Sequence, residues 1–206
     1  GTVDNAVASE EACFDAIKRF LSYLPQNVWA APPVTACSDS PLRREERLLD
    51  IVPRDRRKPY NMRKLIALVV DRESVFESQP SYGRAVIRCL GGMSGYVVGI
   101  IANNPLVNGG AMDSKAARKQ IRFMELCDTF HIPMVFLVDV PGFMVGPQAE
   151  QLGTLRDGMR AVYVAMQASV PMFTVVIRKC YGMAGMATCD KDQLHFKMAW
   201  RLAEWG

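Results

Sequence analysis

Apolar and polar residues change rhythm several times along this chain, and each change marks an element. Residues 1–8 are polar, and then Ser9-Glu10-Glu11 opens a stretch with Phe14, Ile17, Leu21 and Leu24 on one face, closed by Pro25. A capping serine, acids in the first turn and a closing proline predict a helix. From Gln26 to Pro59 the chain is rich in charge and in proline (Pro32-Pro33, Pro41, Pro53, Pro59), which predicts an irregular arm with a short helix around Arg44–Ile51. Asn61 is placed to cap a helix running through Val69, and residues 84–101 read as two apolar strands joined at Gly91-Gly92-Met93-Ser94-Gly95.

Further on, three continuous apolar runs, Tyr96–Ala102, Met134–Val140 and Met172–Arg178, begin 38 residues apart each time. Helical patterns at Asp113–Phe130 and Gln148–Ser169 lie between them, the second with Leu152, Leu155, Met159, Val162 and Met166 on one face. Apolar runs separated by crossover helices are what parallel strands buried on both faces require. The pattern therefore predicts a β-α-β-α-β unit, with right-handed crossovers.

Such a unit brings three loops to one edge of the sheet: Asn103-Asn104-Pro105, Pro141-Gly142-Phe143 and Cys180-Tyr181-Gly182. Open α/β sheets bind ligands at that edge. The third loop runs into Met183-Ala184-Gly185-Met186-Ala187, small residues that let a ligand approach and that open a helix whose first amides lack internal partners.

The remaining composition narrows the chemistry. The chain has 206 residues, half of them hydrophobic and 22% charged, and its longest apolar runs are far short of a bilayer span. Of the net charge of +4, the segment Arg43–Lys64 with nine cations and four acids accounts for all the excess, so no general nucleic-acid surface is expected and the run reads as a solvated arm. The six cysteines show no C-x-x-C spacing and the first twenty residues carry acids, which points to a reducing cytoplasm.

Side chains suited to catalysis are scarce. His131 and His195 are the only histidines, and they read as junction and surface residues. Asp139 within a strand and Asp128 at a helix end read as locally hydrogen-bonded carboxylates, and Arg178-Lys179 as a solvated strand end. Cys180 has nothing nearby to lower its pKa except the helix start, and Gly182-x-x-Gly185 lacks the rest of a dinucleotide fingerprint. What remains is stabilisation by main-chain dipoles, which suits a reaction that develops charge on carbonyl oxygens and brings its own base.

Four stretches resemble one family in sequence. Val98-Gly99-Ile100-Ile101-Ala102-Asn103-Asn104-Pro105, the helix Asp113…Ala116-Ala117-Arg118-Lys119-Gln120-Ile121-Arg122-Phe123 with Cys127-Asp128, Leu137-Val138-Asp139-Val140-Pro141-Gly142-Phe143…Gly146, and Arg178-Lys179-Cys180-Tyr181-Gly182-Met183-Ala184 closely resemble the carboxyltransferase (β) subunits of biotin-dependent acyl-CoA carboxylases, propionyl-CoA carboxylase β chains in particular. The resemblance implies a crotonase-like ββα superhelix, an α/β fold with a mostly parallel sheet. Residues 1–60 would be an interdomain linker helix and arm, and residues 61–206 the C-terminal domain of a larger subunit with two such domains, roughly 500 residues by typical domain size.

The same resemblance implies transfer of a carboxyl group from carboxybiotin, borne by a biotin carboxyl carrier protein and made by a biotin carboxylase subunit, to the α-carbon of an acyl-CoA. One pair of amides from each half would hold the two oxygens involved. Here the pair would be Met183 and Ala184, with Gly182 beside them and Pro141, Gly142, Phe143, Tyr181 and Met186 lining the substrate and biotin pocket. No metal is implied. A homo-oligomer through the crotonase-like halves, and location in the cytoplasm or a mitochondrial matrix, follow from the resemblance too. Where many members read Tyr-Gly-Gly-Ala-Tyr-Asp, this chain has Tyr181-Gly182-Met183-Ala184-Gly185-Met186, a departure at the position that tunes acyl-chain choice. The alternatives are a decarboxylase or transcarboxylase of the same fold, or a non-catalytic assembly module.

Overall fold

A computed structural model describes residues 2–189 and 195–206. A sheet of seven strands forms its centre: β1 (Phe76–Ser78), β2 (Val86–Met93), β3 (Tyr96–Asn103), β4 (Met134–Val140), β5 (Met172–Cys180), β6 (His195–Ala199) and β7 (Glu204–Trp205). The spatial order is β1-β2-β3-β4-β5-β6, and β7 also pairs with β5. β1, β2 and β3 are antiparallel, whereas β3, β4, β5 and β6 run parallel. Met134 and Met172 lie side by side, 38 residues apart, so there the period of the sequence is the repeat of strand plus crossover, while Met134 pairs with Gly99 of β3 and not with the strand's first residue.

Residues alternate between two cores along each strand. Met134, Phe136, Val138 and Val140 of β4 point to one face, and Val135 and Leu137 to the other. The first face is covered by α3 (Ser114–Thr129) and the helix that follows β5, with α5 (Thr154–Gln167) packed outside them, and the second by α2 (Met62–Val69) and part of the arm, including Val52 and Tyr60.

Three helices start at side-chain caps, of which Ser9 and Asn61 were expected and Asp113 was not. Ser9 accepts from the Ala12 amide at the head of α1 (Glu10–Leu21), Asn61 from Arg63 at α2, and Asp113 from Ala116 at 2.7 Å at α3. Each satisfies an amide with no carbonyl a turn earlier. The arm's short helix is a single 3-10 turn, Glu46–Leu49.

Four expectations need correction. The β2–β3 connection is only Ser94-Gly95, both at positive φ, the mirror-type turn that suits strand twist; Gly91, Gly92 and Met93 belong to β2. The helix expected over Gln148–Ser169 is split into α4 (Pro147–Gln151) and α5, because Gly153 adopts φ 73 between them. The apolar stripe of that helix faces outward: Leu152, Leu155, Met159 and Met166 are exposed, while small residues such as Gly158, Ala161 and Ala165 lie inward with Val162. Likewise Phe14, Ile17 and Leu21 of α1 are exposed, and it is Phe20 and Leu24 that pack against the core.

Candidate active site

The loops following β4 and β5 meet at one edge of the sheet. Tyr181 donates its amide to the Val140 carbonyl at 3.1 Å, which holds the two loops together. The loop after β4 is fixed from its other side by an exchange with Met112, whose amide donates to Gly142 and whose carbonyl accepts from Met144. Phe143 reaches inward between α5 and α6 (Gly182–Cys189), packing with Ala161 and Ala187. A Cβ on Gly158 would fall 2.7 Å from the Phe143 ring, so this approach requires glycine. The first loop is used internally: Asn104 donates to the Arg84 carbonyl, and the Asn103 side chain accepts from the Asp139 amide.

α6 begins at this edge. Gly182 has φ 56, a left-handed conformation, and a Cβ built there would meet nothing within 4 Å, so the approach to the helix start is open. The Gly182 amide itself donates to Gly206 at 2.8 Å, which leaves Gly182 with a conformational role. Met183 and Ala184 follow in the first turn, ahead of Gly185, whose amide reaches back to Tyr181 at 3.4 Å. Amides in that position point along the helix axis at its positive end. Met183 and Met186 are exposed by 40% and 38%, whereas the Ala184 and Ala187 side chains are buried.

Several buried polar groups hold α6 in place. Gln120 of α3, fully buried, donates to the Ala187 carbonyl at 2.7 Å, and Thr174 donates to the Thr188 carbonyl. Sequence reasoning missed Gln120, whose only signal was a polar residue on the inward face of α3.

Beneath the edge lies a buried ion pair. Asp139 accepts from Arg178 Nε at 3.1 Å and from the Lys179 amide at 3.2 Å. The β4–β5 register shifts beside it, between Val138 and Val140, as a bulge next to a site does. Arg178 was expected to be solvated; it is buried, its guanidinium 5.1 Å over the Tyr60 ring and donating to the Lys58 carbonyl. Burial, with Asp139 nearby, pushes the Tyr60 phenol up, so it stays protonated. Lys179 donates to Gly109.

The remaining candidates fall where they were read. His131 sits at the end of α3 with its ring on the Val28 carbonyl, His195 pairs with Thr174 on β6, and Asp128 accepts from Ser169. Cys180 is buried, with its sulfur where a side chain on Gly185 would lie. Tyr181 turns toward β7: its hydroxyl donates to Glu204 at 2.7 Å, and this bond raises its pKa. The charge run is partly tied down, Arg63 forking onto Glu77 and Arg56 pairing with Glu204.

The fold defines a crotonase-like α/β domain. The carboxyl transferase domain family matches residues 1–206, and the chain belongs to that family. It is 40% identical to the carboxyltransferase subunit of propionyl-CoA carboxylase from Haloferax mediterranei, over 99% of this chain and 40% of that protein. Its identity to the alpha subunit of methylmalonyl-CoA decarboxylase from Veillonella parvula is 38%, over 93% of this chain and 38% of that one. Among solved structures, transcarboxylase 12S with hydrolyzed methylmalonyl-coenzyme A bound superposes with a TM-score of 0.93 at 35% identity, covering 98% of this chain and 40% of that one. The chain thus spans about two fifths of the length of the relatives it matches. No helix among the described residues is long and apolar enough to cross a membrane.

Proposed function

We propose that residues 61–206 form one half of a carboxyltransferase active site that works through the Met183 and Ala184 amides, with residues 1–60 serving as linker and arm. The observation that carries this reading is the start of α6. Two first-turn amides stand at the start of α6, space is open beside Gly182, and the loop after β4 is bonded to the loop that leads into this helix.

The substrate is an acyl-CoA and the carboxyl group is exchanged at its α-carbon. As that carbon gains or loses the group, negative charge grows on a neighbouring carbonyl oxygen. Preorganised amides stabilise this charge without reorienting. A biotin ureido group suits such an edge, because its oxygen accepts from N–H donors and the half-exposed Met183 and Met186 offer apolar contact. When bound, carboxybiotin supplies the transferable carboxyl group and then a basic nitrogen. Met183 and Ala184 hold one of the two oxygens, and a partner half holds the other. Met186 borders the acyl chain and contributes to its selection. Relatives include both a carboxylase and a decarboxylase subunit, and the same amides serve either direction. Work in the cytoplasm or a mitochondrial matrix, with a carrier protein and a biotin carboxylase as partners, fits this reading.

Ala184→Pro in the full-length protein tests it. The substitution removes one donor at a first-turn position where proline is tolerated, and kcat is expected to fall about 100- to 1,000-fold. Ala184→Gly keeps the amide and is expected to change kcat only modestly. Circular dichroism checks the fold, because proline also restricts Met183. A folded Ala184→Pro enzyme with undiminished kcat overturns the amide mechanism.

A further inference from the structure

Away from that edge, α1 stands off β1, β2 and α3 and leaves a partly open groove of about 560 Å³. This is within the range of small-molecule sites. Its walls are mostly apolar, with Ile17, Phe20, Phe76, Leu126 and Phe130, and its polar end holds two arginines. Arg88 has a side chain only 5% exposed, and its Nε is buried with no hydrogen-bond partner. Arg122 is the second. Both reach the same carboxylate, Asp4, at 2.6 and 3.1 Å. The other lining acid, Glu125, faces Arg160, and Glu77 nearby is taken by Arg63. Behind Arg88, the ammonium of Lys119 is buried on the carbonyls of Gln79 and Val86. Burial first, with Arg88 and Arg63 contributing, pushes that lysine down to about 8. Positive charge at this end exceeds the carboxylate that meets it.

We propose that the groove binds a medium-chain fatty acid, its carboxylate held between Arg122 and Arg88 and its chain lying along Ile17, Phe20, Phe76 and Phe130. Asp4 alone meets both guanidiniums, a second carboxylate offsets the remaining positive charge, and charged forks of this kind favour carboxylates over neutral head groups. An alkyl chain gains by leaving water along the apolar wall.

Cys13, exposed on the groove wall, reports occupancy without reference to catalysis. In the full-length protein, decanoate below its micelle concentration is expected to slow alkylation of Cys13 by iodoacetamide, followed by mass spectrometry. Decanol, with the same chain and no charge, is expected to need about tenfold higher concentration, as is decanoate with the Arg122→Gln protein. Arg122 is exposed enough that its loss leaves the fold intact, and Ala16→Trp, which fills the groove, should abolish decanoate's effect. Equal protection by decanoate and decanol overturns the carboxylate site. So does no protection by either, as would follow if another segment of the full-length protein covers the groove.

Discussion

α3 and α5 are consecutive crossover helices on the same side of the sheet, yet they distribute their large residues in opposite ways. α3 turns Phe123, Met124 and Cys127 inward and lies between the sheet and α5. α5 turns Gly158, Ala161 and Ala165 inward and leaves Leu155, Met159, Tyr163 and Met166 on the surface. Small residues let α5 sit close on α3, and bulky ones outside form a patch of the kind that marks an interaction surface. The two helices have similar apolar content, but one builds this domain and the other offers a surface to something else.

The largest effect expected from this contrast is in α3. Phe123→Ala should destabilise the fold by about 3–5 kcal/mol in denaturant titration, because its ring is buried and leaves a cavity. Next is the polar tie between the helices, where Asp157 of α5 accepts from Ser114 Oγ at 2.5 Å and Arg118 Nε at 2.6 Å. Burial alone would raise the Asp157 pKa, but these two donors and the arginine charges hold it below the ordinary carboxylate value. Its stabilisation is therefore complete above the unfolded-state pKa and is lost as pH falls through the lower folded value. Asp157→Asn should cost about 1.5–3 kcal/mol at neutral pH and flatten that acid dependence.

Lys119 of α3 gives a pH dependence of the same sign at the alkaline end, although its shift marks a burial cost and not a gain. The unfolded chain keeps this proton to about pH 10.5 and the folded chain to about 8, so stability rises with pH between those values. In Lys119→Met this increment should be missing when stability is compared from pH 8 to 10. Smallest in stability is Leu155→Ala, expected within about 0.5 kcal/mol because the residue is exposed. Leu155→Asp with Met159→Asp should instead weaken self-association by light scattering while leaving the melting temperature nearly unchanged. A large stability loss from Leu155→Ala would erase the contrast between the helices.

α5 also shows where sequence reading stops. Apolar periodicity reveals that a helix has an apolar stripe, but the stripe looks the same whether it meets the sheet or a neighbour. Gly158, Ala161 and Ala165 on the opposite face were the available clue. The strands were legible because continuous runs such as Met134–Val140 are needed only where both faces are covered, and the caps at Ser9 and Asn61 because their chemistry is local. That the loops after β4 and β5 meet at one edge was legible from strand spacing, and the start of α6 from the small residues after β5. Gln120 beneath α6 and the Arg178–Asp139 pair were not, since both depend on side chains brought together from elements far apart in sequence.

The arm's attachments have a consequence for the order of folding. Lys58 is held by Arg178 across 120 residues of sequence, and Leu49 by Arg201 across 152. Loop closure over such distances must precede the contact that rewards it. The end of the arm at Leu49–Lys58 can therefore settle only after β5 is in place, although it emerges from the ribosome long before it. During synthesis, the basic run Arg54–Lys58 waits in solvent for a partner strand that has yet to be made.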